Sequence, residues 1–372
     1  MQLLLLLSRI SLDDSARNAA EALIANVNWD QCTVLSVKHG TAAIIYKNLY
    51  ELKGVPPHIL KKYQDIYNNL LRNNILQAAE LDRLIDGLKK TGIEVISLKG
   101  AIAAEKIFGD IGVYPSADID ILVKLGDIDK IREFLETDGY MLNDVGFDEY
   151  REFFIKELYH INLSNGRNTI EPHWNLFMRY FITPPQFWWE ESFVISSGYR
   201  QYRFLSPEKN ILYTSFRLFF KGFIYLKFLV MVAEIVRCYK DNIDWNKLFG
   251  FAKYYKFENT LRVVLRLANH LLGAQVPEEF TVIKKLRTKI LYALIQIILP
   301  RGEDPHPLYK ALLIFLRDDS LGAFRVLLRR LFPSMGEIVS KYNLTSGSAK
   351  ALIYYMLNPA MVLMRQTNRI KQ

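Results

Sequence analysis

Cysteine is scarce in this sequence, since Cys32 and Cys238 are the only two among 372 residues. They lie far apart, and neither has the closely spaced cysteine or histidine partner that zinc sites show. A disulfide framework and a structural zinc site are therefore not expected. This cysteine usage fits a reducing compartment best, so we expect a cytoplasmic protein.

Tracts rich in Ser and Pro or in Gly and Ser are also missing, whereas 50% of the residues are hydrophobic and 13% are aromatic. This composition excludes a disordered chain and predicts a large buried core. The apolar opening MQLLLLLSRISLDD has no basic segment before it and no small-residue cleavage site. It therefore predicts the first turns of a buried helix and not a signal peptide.

No long apolar run is free of charge. The longest candidate, residues 211–236, contains Arg217, Lys221 and Lys227, which argues against a membrane span, although such a segment can contact a membrane surface. The positive charge is concentrated at the end of the chain: residues 301–372 hold eleven Lys or Arg and five Asp or Glu, or +6 of the net +9. This excess predicts either a solvated helical face or a surface for a polyanion or an acidic membrane.

Helical periodicity covers both ends of the chain and flanks a segment with a different pattern. Residues 1–92 form the first helical region, whose last long helix is predicted to end at Gly92. In residues 93–205 short β-branched runs alternate with short helices, and SNGR predicts a hairpin turn. Residues 206–372 are helical again. We therefore predict an α+β protein with a small mixed-sheet core, N-terminal helices and a large C-terminal helical domain.

Two predicted strands in the core carry unusual acidic residues. In ADIDILVK, strand alternation places Asp118 and Asp120 on one face, opposite an apolar face. In IEPHW, Glu171 and His173 share a face, whereas Pro172 removes a ladder donor and predicts an edge strand or a bulge. If the two strands are neighbours, three carboxylates converge, and charges about 4 Å apart repel by about 4 kcal/mol at an effective dielectric near 20. Divalent cations, Mg²⁺ in particular, relieve such repulsion.

A third predicted strand ends in SLKG and offers the features of a phosphate site. Gly100 allows the backbone to approach a phosphate closely, and the helix that follows presents free N–H groups. Lys99 could neutralise a triphosphate. Together with the carboxylates, these residues predict a site for a nucleotide and a metal ion.

Taken in order, LKG, YPSADIDILV and IEPHW resemble the motifs of an uncharacterised nucleotidyltransferase family within the DNA polymerase β-like nucleotidyltransferase superfamily. The helices on both sides also resemble those of the family, so the resemblance extends over most of the chain. It implies transfer of a nucleoside monophosphate from an NTP to a hydroxyl group of a small-molecule, sugar or protein acceptor. It also implies a polymerase β-like core and a two-metal mechanism with Mg²⁺ or Mn²⁺.

The resemblance implies residue roles by position. The metal ions and the catalysis would depend on the three carboxylates Asp118, Asp120 and Glu171. The nucleotide would contact Lys99, Gly100 and Ser116, and the acceptor side would include His173. Tyr114 stands where members often carry an arginine.

Two alternatives stay open at the level of the sequence. Tyr114 and Pro172 both fit a catalytically degenerate member that binds a nucleotide or a partner protein without chemistry. Nucleic-acid binding through the basic C-terminal helices is the third hypothesis and ranks last, because no recognised reader motif supports it.

Overall fold

The computed structural model describes residues 1–144, 146–177, 181, 183–197, 200–299, 312, 315, 317–342, 344 and 348–364. Helices dominate this part of the chain, and a small mixed sheet lies between two helical regions. The predicted α+β class is therefore confirmed. The domain boundaries near residues 92 and 205 stay a prediction.

Five helices precede the sheet in the described residues: α1 Gln2–Leu7, α2 Asp14–Ile24, α3 Trp29–His39, α4 Ala42–Leu49 and α5 Pro57–Lys90. The helix expected at the chain start is present, and three of its leucines are buried. Asp13 caps α2, because its side chain accepts a hydrogen bond from the Ala16 N–H at 2.7 Å. Gly40 ends α3 in the left-handed conformation, with φ at 69°.

The central sheet contains β1 Ile96–Ser97, β2 Ile119–Leu122, β3 Met141–Leu142, β4 Leu163–Ser164 and β5 Thr169–His173, in the order β1-β2-β5-β4-β3. Its connections include α6 Ala101–Phe108, α7 Ile128–Thr137 and α8 Arg151–Phe153, which continues as a π-helical turn, Phe154–Leu158. Strands β2 and β5 are parallel, and the other pairs are antiparallel. The predicted hairpin is β4–β5, and the Asn165 side chain accepts hydrogen bonds from two N–H groups in its turn.

The apolar face of β2 points into a buried cluster, as strand alternation predicts. Ile119, Ile121 and Val123 pack there with three leucines of α5 and with the buried side of α7. The opposite face of the strand is therefore left for the acidic residues, and it is held in place by a core on one side.

The expectation that the strand of Pro172 lies at an edge or in a bulge is wrong, because β5 is the central strand. The Pro172 carbonyl accepts a hydrogen bond from the Ile161 N–H at 3.2 Å. The backbone N–H that proline lacks would therefore also face the β4 side. There the ladder of β4 stops at Leu163, and only an isolated bridge pairs His160 with His173. The proline is tolerated because the neighbouring segment is not a continuous strand at that point.

After the sheet the chain forms a hairpin that the sequence did not predict, β6 Phe193–Ser197 and β7 Arg200–Phe204. The helices that follow are α9 Pro207–Phe220, α10 Leu226–Cys238, α11 Trp245–Tyr254, α12 Glu258–Leu272, α13 Glu278–Thr281, α14 Leu286–Ile298, α15 Ser320–Leu331, α16 Met335–Tyr342 and α17 Ala349–Met364. A second and larger buried cluster joins the N-terminal helices to α9, α10 and α12. Across the described ranges, no helix is long and apolar enough to cross a membrane.

Candidate functional site

The parallel pairing of β2 with β5 brings two acidic residues together. Asp120 is the register partner of Glu171, and His173 follows two residues later on the same face. Asp120, Glu171 and His173 each offer one ligand atom, and these atoms lie within 4.8 Å of one another. Because neighbouring strands are about 5 Å apart, the register brings Asp120 and Glu171 side by side. The three side chains therefore form a group that could hold a metal ion.

Lys99 stands between the two aspartates of the D-x-D motif. Its Nζ atom lies 2.8 Å from Asp118 Oδ1 and 2.7 Å from Asp120 Oδ2. Asp120 Oδ2 is buried and receives no well-directed hydrogen bond within the described part of the chain, so its contact with Lys99 is an ion pair. Asp118 also pairs with Lys99, and it lies outside the three-ligand group. The Lys99 ammonium occupies the position that a cation shared by both aspartates would take.

The charge of Lys99 depends on pH near neutrality. Burial, followed by the positive charge of Arg217, lowers the pKa of Lys99 to about 7, although Asp118 and Glu171 act in the opposite direction. The amine can therefore lose its proton near neutral pH, and its release from the aspartates becomes less costly.

Gly100 and Ser116 border the aspartates at the start of α6. Gly100 has φ at 94° and ψ at −153°, a conformation that glycine adopts readily and other residues do not. A Cβ atom at this position would lie 3.6 Å from Ser116 Oγ, so the backbone conformation, and not space, demands glycine. The Ser116 hydroxyl donates to the Asp118 carbonyl at 2.8 Å. The predicted nucleotide-binding residues therefore lie next to the acidic pair.

His173 links the two carboxylates of the cluster. Its Nε2 atom lies 3.0 Å from Asp120 Oδ1 and 3.5 Å from Glu171 Oε2. The ring stacks on His160 at a centroid distance of 4.9 Å. Burial lowers the pKa of His173, and it lowers the pKa of His160 to about 4. Both imidazoles are therefore neutral at pH 7, and His173 can either donate to one carboxylate or serve as a nitrogen ligand.

A short hydrogen-bonded chain leads from Glu171 to a further acid. The Asn162 side chain donates to Glu171 Oε1 at 3.2 Å, and the Asn162 N–H donates to Asp144 Oδ2 at 2.5 Å. Burial alone raises the pKa of Glu171, but the hydrogen bond with His173 and the charge of Lys99 lower it below its usual range. Burial raises the pKa of Asp144 to about 6, and the charge of Glu171 adds to this shift. Glu171 is therefore ionised at neutral pH and available as a ligand.

Arg217, on α9, belongs to the site although the sequence did not assign it there. Its Nη1 atom lies 3.7 Å from Asp120 Oδ1 and donates to the Tyr213 hydroxyl at 2.8 Å. Its Nε atom is buried and has no hydrogen-bond partner among the described residues. Lys227, on α10, lies over the Tyr114 ring at 5.4 Å. Lys227 thus lies over Tyr114, and Arg217 lines the same small cavity as this tyrosine.

The space around the cluster is small. A cavity of about 10 Å³ lies between Lys99, Tyr114, Tyr213 and Arg217, and it has room for about one water molecule. Two cavities of about 370 and 270 Å³ lie elsewhere in the described structure. The acidic cluster itself reaches solvent through Asp118 and Glu171, whose side chains are 23% and 19% exposed. A nucleotide would therefore enter from the side of these two carboxylates.

Comparison with known proteins places these residues in a family. A family profile described as uncharacterised nucleotidyltransferase matches residues 25–273, about two thirds of the chain. The match includes every residue of the acidic cluster as well as Arg217. Searches of curated proteins and of solved structures found no match. The chain therefore belongs to the family of uncharacterised nucleotidyltransferases.

Proposed function

We propose that this protein transfers a nucleoside monophosphate from an NTP to a hydroxyl group of a small-molecule, sugar or protein acceptor, with release of pyrophosphate. Membership of the family supports nucleotidyl transfer in general. The observation that carries the finer proposal is the register that sets Asp120 beside Glu171, with the Lys99 ammonium already between Asp120 and Asp118.

The donor set fits a divalent cation. Two carboxylates and an imidazole present ligand atoms within 4.8 Å of one another, and Asp120 Oδ2 is buried without a directed hydrogen bond. Carboxylate oxygens suit Mg²⁺ or Mn²⁺, and an imidazole nitrogen at His173 is better tolerated by Mn²⁺. Asp120 and Glu171 would hold the ion, and Asp118 would join them once Lys99 leaves. A bound ion would neutralise charge on the phosphates and on the attacking and leaving oxygens.

The remaining side chains would position the nucleotide. Lys99 would move from the aspartates to a phosphate. Its long side chain can reorient, and its ammonium group would then pair with the phosphate in place of the two carboxylates. Gly100 would allow the backbone at the start of α6 to approach the phosphates. Arg217 would provide a second cation from α9 through its unpaired Nε atom and its partly exposed guanidinium. The acceptor oxygen would bond to the α-phosphorus as the bond to the oxygen that bridges the α- and β-phosphates breaks, so that pyrophosphate leaves and the hydroxyl proton passes to water.

A second candidate function follows from the position of Lys99. If this ammonium stays between Asp118 and Asp120 permanently, it replaces a metal ion and catalysis is absent. The protein would then bind a nucleotide or a partner protein without chemistry. The small cavity beside Lys99 favours this alternative over an open catalytic cleft.

The two candidates differ in their response to a test of turnover. Pyrophosphate release would be measured with ATP, CTP, GTP and UTP, with Mg²⁺ or Mn²⁺, over a broad panel of hydroxyl acceptors. We expect release by the wild type and none by Asp120→Asn. The matched control is Asp129→Asn, which changes an exposed aspartate that pairs with Arg151 on the surface, and it should retain full activity.

Two results would contradict the catalytic proposal. Full activity of Asp120→Asn, with circular dichroism showing a folded protein, would exclude the assigned site. Calorimetric binding of an NTP by the wild type, without pyrophosphate release across the whole panel, would establish the binding function instead.

A further inference from the structure

Helix α15 leaves an apolar face in contact with solvent. Leu321 is 61% exposed and Phe324 is 55% exposed, and Leu328 is exposed as well. Their spacing of three and four residues places them on one side of the helix. Ala323 and Val326 are buried on the opposite side, where the helix packs against the protein. An exposed row of large apolar side chains on a packed helix is typical of a surface that binds another molecule or a membrane.

Helix α17 adds a second exposed apolar face. It contacts α15, because the Asn358 side chain on its packed side donates to the Leu331 carbonyl at 2.9 Å. Four of its large apolar side chains are exposed: Leu352, Ile353, Met356 and Leu357. Two helices that contact each other therefore both expose large apolar side chains.

The sequence of this region has an excess of positive charge, although Asp319 caps the start of α15. Residues 320–372 contain eight Lys or Arg and a single acid, Glu337. Arg325 lies about 40° around α15 from Leu321, at about 100° per residue, and it is exposed, as is Lys350 in the first turn of α17. The family match covers residues 25–273, so α15 and α17 lie outside the matched part of the chain.

We propose that the exposed faces of α15 and α17 dock on an anionic membrane surface. Helices that lie in the membrane interface combine Leu, Phe or Trp on one side with Lys and Arg beside them. Positive charge attracts anionic headgroups, and the apolar row then enters the boundary between headgroups and acyl chains. A nucleic acid would satisfy the charge but would leave the leucines, Phe324 and Met356 in water, so the combination favours a lipid surface.

The proposal is tested by co-sedimentation of the full-length protein with vesicles. One set contains phosphatidylcholine alone, and the other contains equal parts of phosphatidylcholine and phosphatidylglycerol. We expect binding to the anionic set only, with a decrease as salt rises. The double variant Leu321→Asp/Phe324→Asp should lower the partition coefficient by about a hundredfold, because burial of each of the two side chains contributes a factor of about ten. Arg325→Glu/Lys350→Glu should reduce the preference for the anionic set.

The matched control is Val34→Asp/Val37→Asp, which places the same charges at two exposed valines of α3. It should bind anionic vesicles as the wild type does. All changed positions are exposed, so the variants should keep the far-ultraviolet circular dichroism spectrum and the pyrophosphate release of the wild type. This activity readout separates failure of the docking proposal from failure of the proposed function.

Four outcomes would overturn the proposal. The wild type could fail to sediment with anionic vesicles at low salt, or the Leu321→Asp/Phe324→Asp variant could bind them as well as the wild type. Salt-sensitive binding of duplex DNA that survives this substitution, without vesicle binding, would assign the basic surface to nucleic acid. A concentration-dependent dimer that disappears in the variant would assign the apolar faces to contact between two copies of this chain.

Discussion

Replacement of Lys99 by Met tests whether the aspartates form a cation site. The substitution removes the ammonium between Asp118 and Asp120 but keeps most of the apolar stem. At 2.7 and 2.8 Å, each charge pair is worth about 6 kcal/mol at an effective dielectric near 20, before desolvation is considered. Loss of one partner from a buried ion pair usually costs about 3–5 kcal/mol. We expect the free energy of unfolding of Lys99→Met to fall by about that amount when no divalent cation is present.

The same variant should respond strongly to Mg²⁺ and Mn²⁺, because its carboxylates are no longer neutralised. A cation at about one hundred times its dissociation constant adds about 2.7 kcal/mol to the stability of the folded state. The assay is urea unfolding with EDTA and with each metal, at about pH 6, below the pKa of Lys99 of about 7, so that the wild-type amine is protonated. The control Lys124→Met breaks an exposed pair with Glu94 and should cost less than about 1 kcal/mol. An equal response of Lys99→Met and the wild type to both metals would refute the reasoning.

The remaining predictions concern single positions. Gly100→Ala should lower the melting temperature and weaken NTP binding, because a side chain at this positive φ costs about 1–3 kcal/mol. The control Gly250→Ala changes a glycine within α11 that has no close neighbours, and it should have neither effect. Equal NTP affinity of the two variants would contradict this prediction. Burial lowers the pKa of His39 to about 4, so the unfolded state, with a pKa near 6.5, binds a proton that the folded state does not. Stability should therefore fall as pH decreases from about 6.5 to about 4, and His39→Gln should flatten that dependence in urea unfolding; an unchanged slope would contradict it. Asp13→Ala should reduce the unfolding free energy by about 1 kcal/mol through loss of the α2 cap, and no change would show that the bond to the Ala16 N–H is not stabilising.

Local sequence patterns were sufficient to predict most of the fold. The alternation in ADIDILVK predicted which side chains of β2 enter the core, because a strand fixes the face of each residue from its neighbours. SNGR predicted the β4–β5 hairpin because turn chemistry is also local. The long periodic run before Gly92 predicted α5, which ends at Lys90. The hairpin β6–β7 was not predicted from the sequence.

Contacts between distant segments were beyond the reach of these patterns. The sequence could place Asp120 and Glu171 on strands, but only the pairing of those strands sets them side by side. It could not show that Lys99 would pair with Asp118, or that His173 would join Asp120 and Glu171 as the third ligand. Both arrangements depend on side-chain packing. Arg217 had one signal, a charge within an apolar run, which was interpreted only as an argument against a membrane span.

The central claim is that Asp120 and Glu171 together hold a divalent cation when a nucleotide is bound. The most direct measurement is anomalous diffraction from crystals grown with Mn²⁺ and a non-hydrolysable NTP. The predicted result is a manganese peak bound by both carboxylates, with the Lys99 ammonium moved to a phosphate. A nucleotide bound elsewhere, or no manganese at Asp120 while Lys99 stays between the two aspartates, would contradict the claim.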